Sequence, residues 1–207
     1  MKPLLLLVHG WGFDAGFWVP LRACFAPEET LAWDLGFFSQ PAQPAPPPGR
    51  KVLAVGHSFG LLWLLRQRPL PWQGLVAING FSRFARGEDF AVGIPPRVLD
   101  RMRARLGTSP AEVVSEFRAR QGCAAPLPGT PCTETLAAGL QGLASWDARP
   151  APVTAALCGR QDGLVSAAMS RACFPEERIV WHEGGHLLPL ETPEWCAARL
   201  RDVLERL

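Results

Sequence analysis

The stretch Lys51–Gly60, Lys-Val-Leu-Ala-Val-Gly-His-Ser-Phe-Gly, decides how this chain folds. Its first half is typical of a buried β-strand, and its second half has the Gly-x-Ser-x-Gly spacing of a tight turn from a strand into a helix. A serine at such a turn stands clear of the sheet, and the following helix directs its first amide groups toward nearby negative charge. The stretch therefore predicts that Ser58 is a nucleophile. A glycine-rich turn with an idle serine is the alternative.

Two other segments place a carboxylate and an imidazole where such a serine needs them. Asp162, within Gly-Arg-Gln-Asp-Gly-Leu-Val, follows the strand candidate 153–158. His186, within Gly-Gly-His-Leu-Leu-Pro, follows the strand candidate 178–182. The carboxyl ends of parallel strands form the edge where α/β sheets build their sites. The sequence therefore predicts a catalytic triad made of these two side chains and Ser58.

Other polar residues compete for these roles. His182 is a rival base because it lies close to His186 along the chain. Asp34 and Asp147 are rivals for the acid, but Asp34 is expected to have a structural role, and Asp147 precedes its strand and so falls at the wrong end of the sheet. His57 is expected to pack beside the nucleophile without taking part in the chemistry.

An oxyanion hole is predicted next to the nucleophile. The apolar run at residues 3–8 predicts a first strand, which leads into His-Gly-Trp-Gly at residues 9–12. A glycine-rich turn here can bring a backbone amide close to the substrate. We expect the N–H groups of Trp11 and Phe59 to form the oxyanion hole. His9 is expected to be a structural hydrogen-bonding residue.

Composition limits the remaining possibilities. A chain of 207 residues is long enough for one domain with a substantial core. The net charge is +2 and the basic residues form no run with interleaved aromatics, so no nucleic-acid partner is expected. No apolar run approaches the length that crosses a bilayer, and the apolar N-terminus lacks a signal-peptide cleavage site. We expect a cytoplasmic monomer without a membrane partner.

The six cysteines are scattered along the chain. They form no Cys-x-x-Cys pair and no zinc-like spacing with histidine, so no metal and no cofactor are expected. Cys158, Cys173 and Cys196 are predicted to be buried thiols. A disulfide between Cys123 and Cys132 is an open alternative.

Short apolar segments alternate with helical ones, which predicts the α/β class with a doubly wound, mostly parallel sheet. The predicted strands span residues 3–8, 31–33, 52–56, 74–78, 153–158 and 178–182. The predicted core helices span residues 16–25, 59–68, 163–172 and 193–206. Thr192 is the expected N-cap of the last helix. Prolines crowd residues 39–49, so we expect an extended connection there in place of a crossover helix, with a ligand for a partner domain as the alternative.

Residues 81–143 are predicted to form a short helical lid, inserted after the strand that follows the nucleophile helix. Residues 1–80 and 144–207 form the predicted core. The expected lid helices span residues 95–106, 109–121 and 133–143. Ser109, followed three residues later by Glu112, predicts a capping box. A lid at the serine end of the sheet would shape the acyl pocket and exclude water.

Together these motifs resemble the α/β-hydrolase superfamily over nearly the whole chain. Four motifs carry the resemblance, His-Gly-Trp-Gly at 9–12, Gly-His-Ser-Phe-Gly at 56–60, Asp-Gly-Leu-Val at 162–165 and Gly-His-x-x-Pro at 185–189. The chain order Ser, Asp, His is also the one that this superfamily uses. Within it, the chain is most similar to the biotin-pathway esterases of the BioH type. The oxyanion turn and residues 84–99 and 113–121 carry this narrower resemblance.

The resemblance implies a serine carboxylesterase that cleaves the methyl ester of pimeloyl bound to acyl carrier protein. It implies that Ser58 is the nucleophile, that His186 is the base and that Asp162 orients the base. For contact with the substrate it implies the side chains of Trp11, Phe13, Phe59, Phe117, Gln121 and Leu164. The chain departs from these esterases at His57, where they carry Trp, and in its shortened lid.

Arginines crowd the predicted lid. Between Arg83 and Gln121 there are eight arginines against five acidic residues. A solvated helix face explains this as well as a docking surface for an acidic acyl carrier protein does. The lid helices contribute Arg97, Arg101, Arg103, Arg105, Arg118 and Arg120.

Two other functions stay open at this point. One is a general short-chain carboxylesterase or thioesterase that needs no carrier partner. The other is a non-catalytic binding protein with a hydrolase fold, which the predicted triad and oxyanion turn argue against.

Overall fold

The computed structural model describes residues 3–207, so residues 1 and 2 of the predicted core segment lie outside the described range. The strands are β1 (Leu4–Val8), β2 (Thr30–Trp33), β3 (Val52–His57), β4 (Gly74–Ile78), β5 (Ala155–Gly159) and β6 (Ile179–His182). They form one parallel sheet in the order β2-β1-β3-β4-β5-β6. All six predicted strands are confirmed, with ends that differ by at most two residues.

Both faces of the sheet are buried, as β1 illustrates. Leu6 and Val8 pack into the core on one face, and Leu5 and Leu7 pack into the core on the other, all without exposure to solvent. Side chains alternate across a strand, so a parallel strand that is covered on both faces needs an unbroken apolar run. The run of four leucines and a valine meets this requirement.

Helices cover the two faces. They are α1 (Val19–Arg22), α2 (Phe59–Gln67), α3 (Pro96–Leu106), α4 (Pro110–Arg120), α5 (Thr133–Ser145), α6 (Ala167–Cys173), α7 (Leu188–Glu191) and α8 (Pro193–Leu204). Helix α2 packs on the face of Leu6, and α8 packs on the face of Leu5. The single helix predicted over residues 16–25 is wrong, because this segment forms the 3₁₀ turn Ala15–Trp18 followed by the short α1.

The helix predicted over 163–172 begins four residues late, at Ala167. The Asp162 carboxylate accepts the backbone N–H groups of Leu164 and Val165, each at 2.8 Å, and so holds these residues in a turn. The Ser166 hydroxyl then caps α6 by accepting the N–H group of Met169 at 3.2 Å.

Thr192 and Ser109 are the N-cap residues of α8 and α4, as predicted, but neither side chain caps its helix by a hydrogen bond. The hydroxyl of Thr192 donates to the carbonyl of Leu188 at 3.3 Å. The predicted capping box of α4 is not formed, and the carboxylate of Glu112 lies 3.7 Å from the guanidinium of Arg105.

The proline-rich connection is extended, as predicted. Asp34 and Ala42 exchange two backbone hydrogen bonds of 2.9 and 3.0 Å, which fasten this segment to the end of β2. The indole N–H of Trp33 donates to the carbonyl of Pro44 at 2.9 Å.

Helices α3, α4 and α5 lie between β4 and β5 in the chain and match the predicted lid helices to within two residues. Two ion pairs join the segments on either side of these helices, Arg83 with Asp147 at 3.0 Å and Arg149 with Asp89 at 2.6 Å. Within residues 3–207, no helix is long and apolar enough to span a membrane.

All six cysteines are free thiols, so the alternative disulfide between Cys123 and Cys132 is not formed. Cys158, Cys173 and Cys196 are buried, as predicted. Burial raises the pKa of the Cys158 and Cys196 thiols to about 12, which keeps both protonated.

Candidate active site

The turn that carries Ser58 joins β3 to α2 in a conformation that leaves no room for larger residues at Gly56 and Gly60. Ser58 has φ 52° and ψ −123°, a backbone conformation that residues other than glycine rarely adopt. A Cβ on Gly56 would overlap the backbone of Leu61, and one on Gly60 would overlap the carbonyl oxygen of Val8. The two glycines therefore let the strand, the turn and the helix cross closely, which is the physical reason for the Gly-x-Ser-x-Gly spacing.

Ser58, His186 and Asp162 form a hydrogen-bonded row at the carboxyl edge of the sheet. The Ser58 Oγ lies 3.1 Å from His186 Nε2, and His186 Nδ1 lies 2.7 Å from Asp162 Oδ2. All three residues are buried, and the exposed fraction of Ser58 is 4%. With Nδ1–H donating to the carboxylate, Nε2 is left to accept the serine proton.

The rival residues lie outside this row. The ring of His182 accepts the N–H of Gly184 at 2.8 Å and packs on Trp195. Asp147 is paired with Arg149, whose hydrogen bonds lower the pKa of that carboxyl to about 2 despite partial burial.

The side chain of Asp34 has a structural role, because it binds backbone groups. Its carboxylate accepts the N–H groups of Ala15 at 3.0 Å and Gly36 at 2.8 Å. Burial favours its neutral form, but the nearby ring of His9 and the hydrogen bonds from the backbone N–H groups of Ala15 and Gly36 outweigh burial and lower the pKa of Asp34 to about 2. His9 in turn accepts the N–H of Leu35 at 3.0 Å, so it fixes the turn that carries Trp11.

The two predicted oxyanion amides flank Ser58. Phe59 is the first residue of α2, so its N–H has no partner within the helix. The N–H of Trp11 donates to no backbone acceptor in the described chain. A Cβ on Gly10 would lie 3.1 Å from the Cβ of Ser58, which shows how closely this turn passes Ser58. Two backbone donors without a backbone partner in the described chain therefore lie in the two turns that meet at Ser58.

Two further side chains hold His186 through its backbone. Its carbonyl accepts the Nε2–H of His57 at 3.0 Å and the Nδ2–H of Asn79 at 2.8 Å. Complete burial, then the proximity of His186 and His9, hold the pKa of His57 well below its usual value, so its ring is neutral. The sequence reading missed Asn79 and gave His57 no role. The position of Asn79 directly after β4, at the edge where Asp162 follows β5, was the available signal.

The predicted substrate-contacting residues fall into two groups. The indole of Trp11 is buried, donates to the carbonyl of Leu136 at 2.9 Å and meets the ring of Phe117 edge-on at 5.0 Å. The ring of Phe59 stacks on Trp146 at 5.9 Å. These rings therefore lie between the sheet and the lid helices.

The other three predicted substrate-contacting residues have separate surroundings. Phe13 is buried against Phe17 at 4.9 Å and lies edge-on to His57 at 6.3 Å. Leu164 is half-buried in the turn that Asp162 holds. Gln121 follows the end of α4, and its side chain makes no hydrogen bond in the described chain.

The arginines of the lid differ in their surroundings. Arg118 is 6% exposed, lies 5.1 Å from the ring centre of Phe13 and donates to the carbonyl of Pro126 at 3.4 Å and to the sulfur of Cys123 at 3.3 Å. Including it in a docking surface was wrong, because its charge points inward. Arg105 forms a double hydrogen bond with Glu116, at 2.8 Å for each contact.

Three arginines of the lid helices remain available on the surface. Arg97, Arg101 and Arg120 are exposed and form no ion pair within residues 3–207. No group of three or more His, Cys, Asp or Glu side chains in that range is arranged to hold a metal ion.

Curated proteins named pimeloyl-[acyl-carrier protein] methyl ester esterase match almost the whole chain. The protein from Stenotrophomonas maltophilia is 28% identical over 247 aligned positions, which cover 99% of this chain and 94% of its own. The protein from Xylella fastidiosa is 28% identical over 245 positions, which cover 99% and 96%. Both alignments are longer than the 207 residues of this chain, so the relatives contain segments that it lacks. No family model matches the chain.

A solved structure confirms the fold. An esterase from Exiguobacterium antarcticum superposes with a TM-score of 0.78 at 14% identity, covering 99% of this chain and 93% of its own. A likeness at this identity concerns the fold, since one fold can host many reactions. The chain therefore has the α/β-hydrolase fold and is similar, over almost its whole length, to pimeloyl-[acyl-carrier protein] methyl ester esterases.

Proposed function

We propose that this chain is a serine carboxylesterase that hydrolyses the methyl ester of pimeloyl-[acyl-carrier protein] in biotin biosynthesis. The names of its relatives support the substrate. The row Ser58–His186–Asp162 is the single observation that carries the chemistry. A hydroxyl, an imidazole and a carboxylate in this order supply a nucleophile, its general base and a group that orients the base.

The first step is acylation of the serine. The Ser58 Oγ attacks the ester carbonyl carbon while His186 Nε2 takes the hydroxyl proton. The negative charge that develops on the carbonyl oxygen is stabilised by the amide donors of Trp11 and Phe59. The C–O bond to the methoxy group then breaks, and methanol leaves with the proton from His186.

The second step returns the enzyme to its starting state. Water gives a proton to His186 and attacks the acyl-serine carbonyl through the same oxyanion hole. The acyl–oxygen bond breaks, the proton returns to Ser58, and the carboxylic acid is released. Asp162 keeps the imidazole in the productive tautomer throughout both steps.

Helix α4 would act as a lid over this site. Its residues Val114 and Phe117 lie over Gly12 of the oxyanion turn, where a Cβ would be 3.2 and 3.7 Å from them. Ser58 is also buried, so we infer that this cover moves to admit an ester to the hydroxyl. Closure over the bound ester would exclude bulk water during acylation.

Arg97, Arg101 and Arg120 would form the carrier-docking surface. Their charges are exposed and have no ion-pair partner within residues 3–207, so they would attract an acidic carrier to the lid helices.

A short-chain esterase without a carrier is the second candidate. Several lid arginines already have acidic partners within the chain, Arg83 with Asp89 and Arg105 with Glu116 among them. These pairs lower the number of lid arginines that are free to contact a carrier.

Steady-state kinetics on pimeloyl-carrier methyl ester and on a nitrophenyl ester tests the substrate. We expect the double variant Arg101→Glu and Arg120→Glu to raise KM for the carrier ester about 10-fold, because its charges repel the acidic carrier. Its kcat/KM for the nitrophenyl ester should stay unchanged. Arg66→Glu, an exposed residue in the last turn of α2, is the matched control. Equal kcat/KM for both esters, together with no effect of the double variant, would favour the carrier-independent esterase.

A further inference from the structure

Asn79 makes three buried hydrogen bonds to the loops that carry the base and the acid. It follows β4 at the carboxyl edge of the sheet and is 1% exposed. Its Nδ2 donates to the carbonyl oxygens of Gly185 and His186, each at 2.8 Å. Its Oδ1 accepts the N–H of Gly159 at 2.7 Å. The amide therefore uses both of its donor hydrogens and its acceptor.

These contacts join two loops that are far apart in sequence. Gly159 is the last residue of β5, three residues before Asp162, and His186 follows β6. The strands pair directly, with Gly159 opposite His182, so each loop leaves the sheet from a neighbouring strand. Beyond the end of the ladder the two loops are joined by the backbone hydrogen bond from Gln161 to Gly184 at 3.1 Å and by the Asn79 side chain, which also reaches the carbonyl of His186 itself.

The chemistry of the side chain fits this link closely. Two carbonyl oxygens and one N–H group require two donors and one acceptor, which a primary amide supplies. An aspartate would face both carbonyls with acceptors only, and a serine has a single donor. The backbone of Asn79 has φ 45°, a left-handed conformation in which asparagine is among the better tolerated side chains.

We propose that Asn79 is a positioning residue that sets the distance between the His186 ring and the Asp162 carboxylate. This inference rests on the proposed esterase function. The imidazole must take a proton from Ser58 and then deliver it to the leaving group, so both contacts depend on where its backbone is held. A displacement of about 1 Å in such an arrangement can cost about 100-fold in rate. Asn79 itself touches no reacting atom and acts through His186.

The variant Asn79→Gly tests the link without straining the turn. Glycine adopts positive φ freely, so the backbone stays and only the amide is removed. We expect kcat on a nitrophenyl ester to fall about 10- to 100-fold while KM changes less than about twofold, since the binding surface is untouched. The rate at which an irreversible phosphonate reagent labels Ser58 should fall by the same factor.

Val76→Ala is the matched control for a general loss of stability. Val76 is a fully buried residue of β4, the strand that Asn79 follows. Its side chain packs into the core on the face of Leu5 and makes no hydrogen bond to either loop. We expect this control to lower the melting temperature and to keep kcat within about twofold of the wild type. Should Asn79→Gly not fold at the assay temperature, Asn79→Ser is measured against the same criteria.

The inference is overturned if the Asn79 variant keeps wild-type kcat, or if Val76→Ala loses as much kcat at an equal loss of melting temperature. The same assay includes Ser58→Ala. If that variant is fully active, the proposed function itself fails. If it is inactive and Asn79→Gly is normal, only the positioning role fails.

Discussion

Ser58 occupies a backbone conformation that costs about 1–3 kcal/mol for a residue with a Cβ. Neighbouring elements hold it there. Its N–H donates to the carbonyl of Ile78 in β4, and its carbonyl accepts the N–H of Leu61 in α2, both at 3.2 Å. The strain is therefore imposed by the sheet and the helix together, and it leaves the hydroxyl pointing at His186.

Some residues of the candidate site could be predicted from sequence patterns, and others could not. Ser58, Asp162 and His186 follow strands within glycine-containing turns, and these patterns are legible in one sequence. Asn79 also follows a strand, but its three partners come from β5 and the loop after β6, and the sequence contains no record of those contacts. Arg118 was assigned to the surface because a helix pattern does not reveal what covers its polar side.

The buried, neutral ring of His57 makes stability depend on pH. In the unfolded chain this histidine takes up a proton below about pH 6.5, whereas burial holds its pKa in the fold well below that value. The unfolded state then binds more protons, so the free energy of unfolding should fall by up to about 1.4 kcal/mol per pH unit below pH 6.5. Urea unfolding between pH 6.5 and 4.5 measures this slope.

His57→Gln is the variant that isolates this effect, because its amide can still donate to the carbonyl of His186 but does not titrate. We expect the free energy of unfolding of this variant to fall less steeply with decreasing pH over the same range, by up to about 1.4 kcal/mol per pH unit, which corresponds to one proton. The carboxyl of Asp34, with its pKa at about 2, loses its contribution only below about pH 4 and does not interfere. Identical slopes in the two proteins would contradict a neutral His57.

At the level of elements, the strands were predictable and the helix ends were less so. Each strand contains an apolar run of at least three residues that is too short for a core helix, and such a run is typical of a strand in a sheet covered by helices. Helix starts depend on single side chains. The Asp162 carboxylate delays the start of α6, whereas α8 begins at Pro193, as predicted, although the hydroxyl of Thr192 donates to the carbonyl of Leu188 and does not cap the helix.

The close crossing of α2 and β1 is testable with one methyl group. The Cβ of Gly60→Ala would overlap the carbonyl oxygens of Val8 and His9, so it forces the helix away from the strand and shifts the oxyanion turn. We expect the free energy of unfolding to fall by about 1–3 kcal/mol and kcat to fall with it. Chemical unfolding and ester hydrolysis measure the two effects.

Gly107→Ala is the control for this substitution. Gly107 ends α3 with φ −68°, and a Cβ there would meet nothing within 4 Å. Alanine should be neutral or stabilise by up to about 1 kcal/mol. If Gly60→Ala behaves like this control, the crossing is not as tight as described.

For the whole molecule, the parallel α/β class and three helices between β4 and β5 were predicted from the sequence, because alternating strands and helices favour a doubly wound sheet. The contacts that cover the candidate site could not be predicted from the sequence. The packing of Val114 and Phe117 over Gly12, and the inward charge of Arg118, arise when three lid helices settle on a sheet edge. Contacts of that kind join segments more than 100 residues apart, as the Trp11–Leu136 hydrogen bond does.

The most direct measurement is mass spectrometry of the intact and digested protein after reaction with a phosphonate ester, beside hydrolysis of a nitrophenyl ester. We expect the adduct on the peptide that contains Ser58, and we expect hydrolysis by Ser58→Ala to fall at least about 1,000-fold. Ser82→Ala, which removes a buried hydroxyl without a hydrogen-bond partner in the described chain, should react as the wild type does. An adduct on another residue, or hydrolysis retained by Ser58→Ala, would contradict the assignment of Ser58 as the nucleophile.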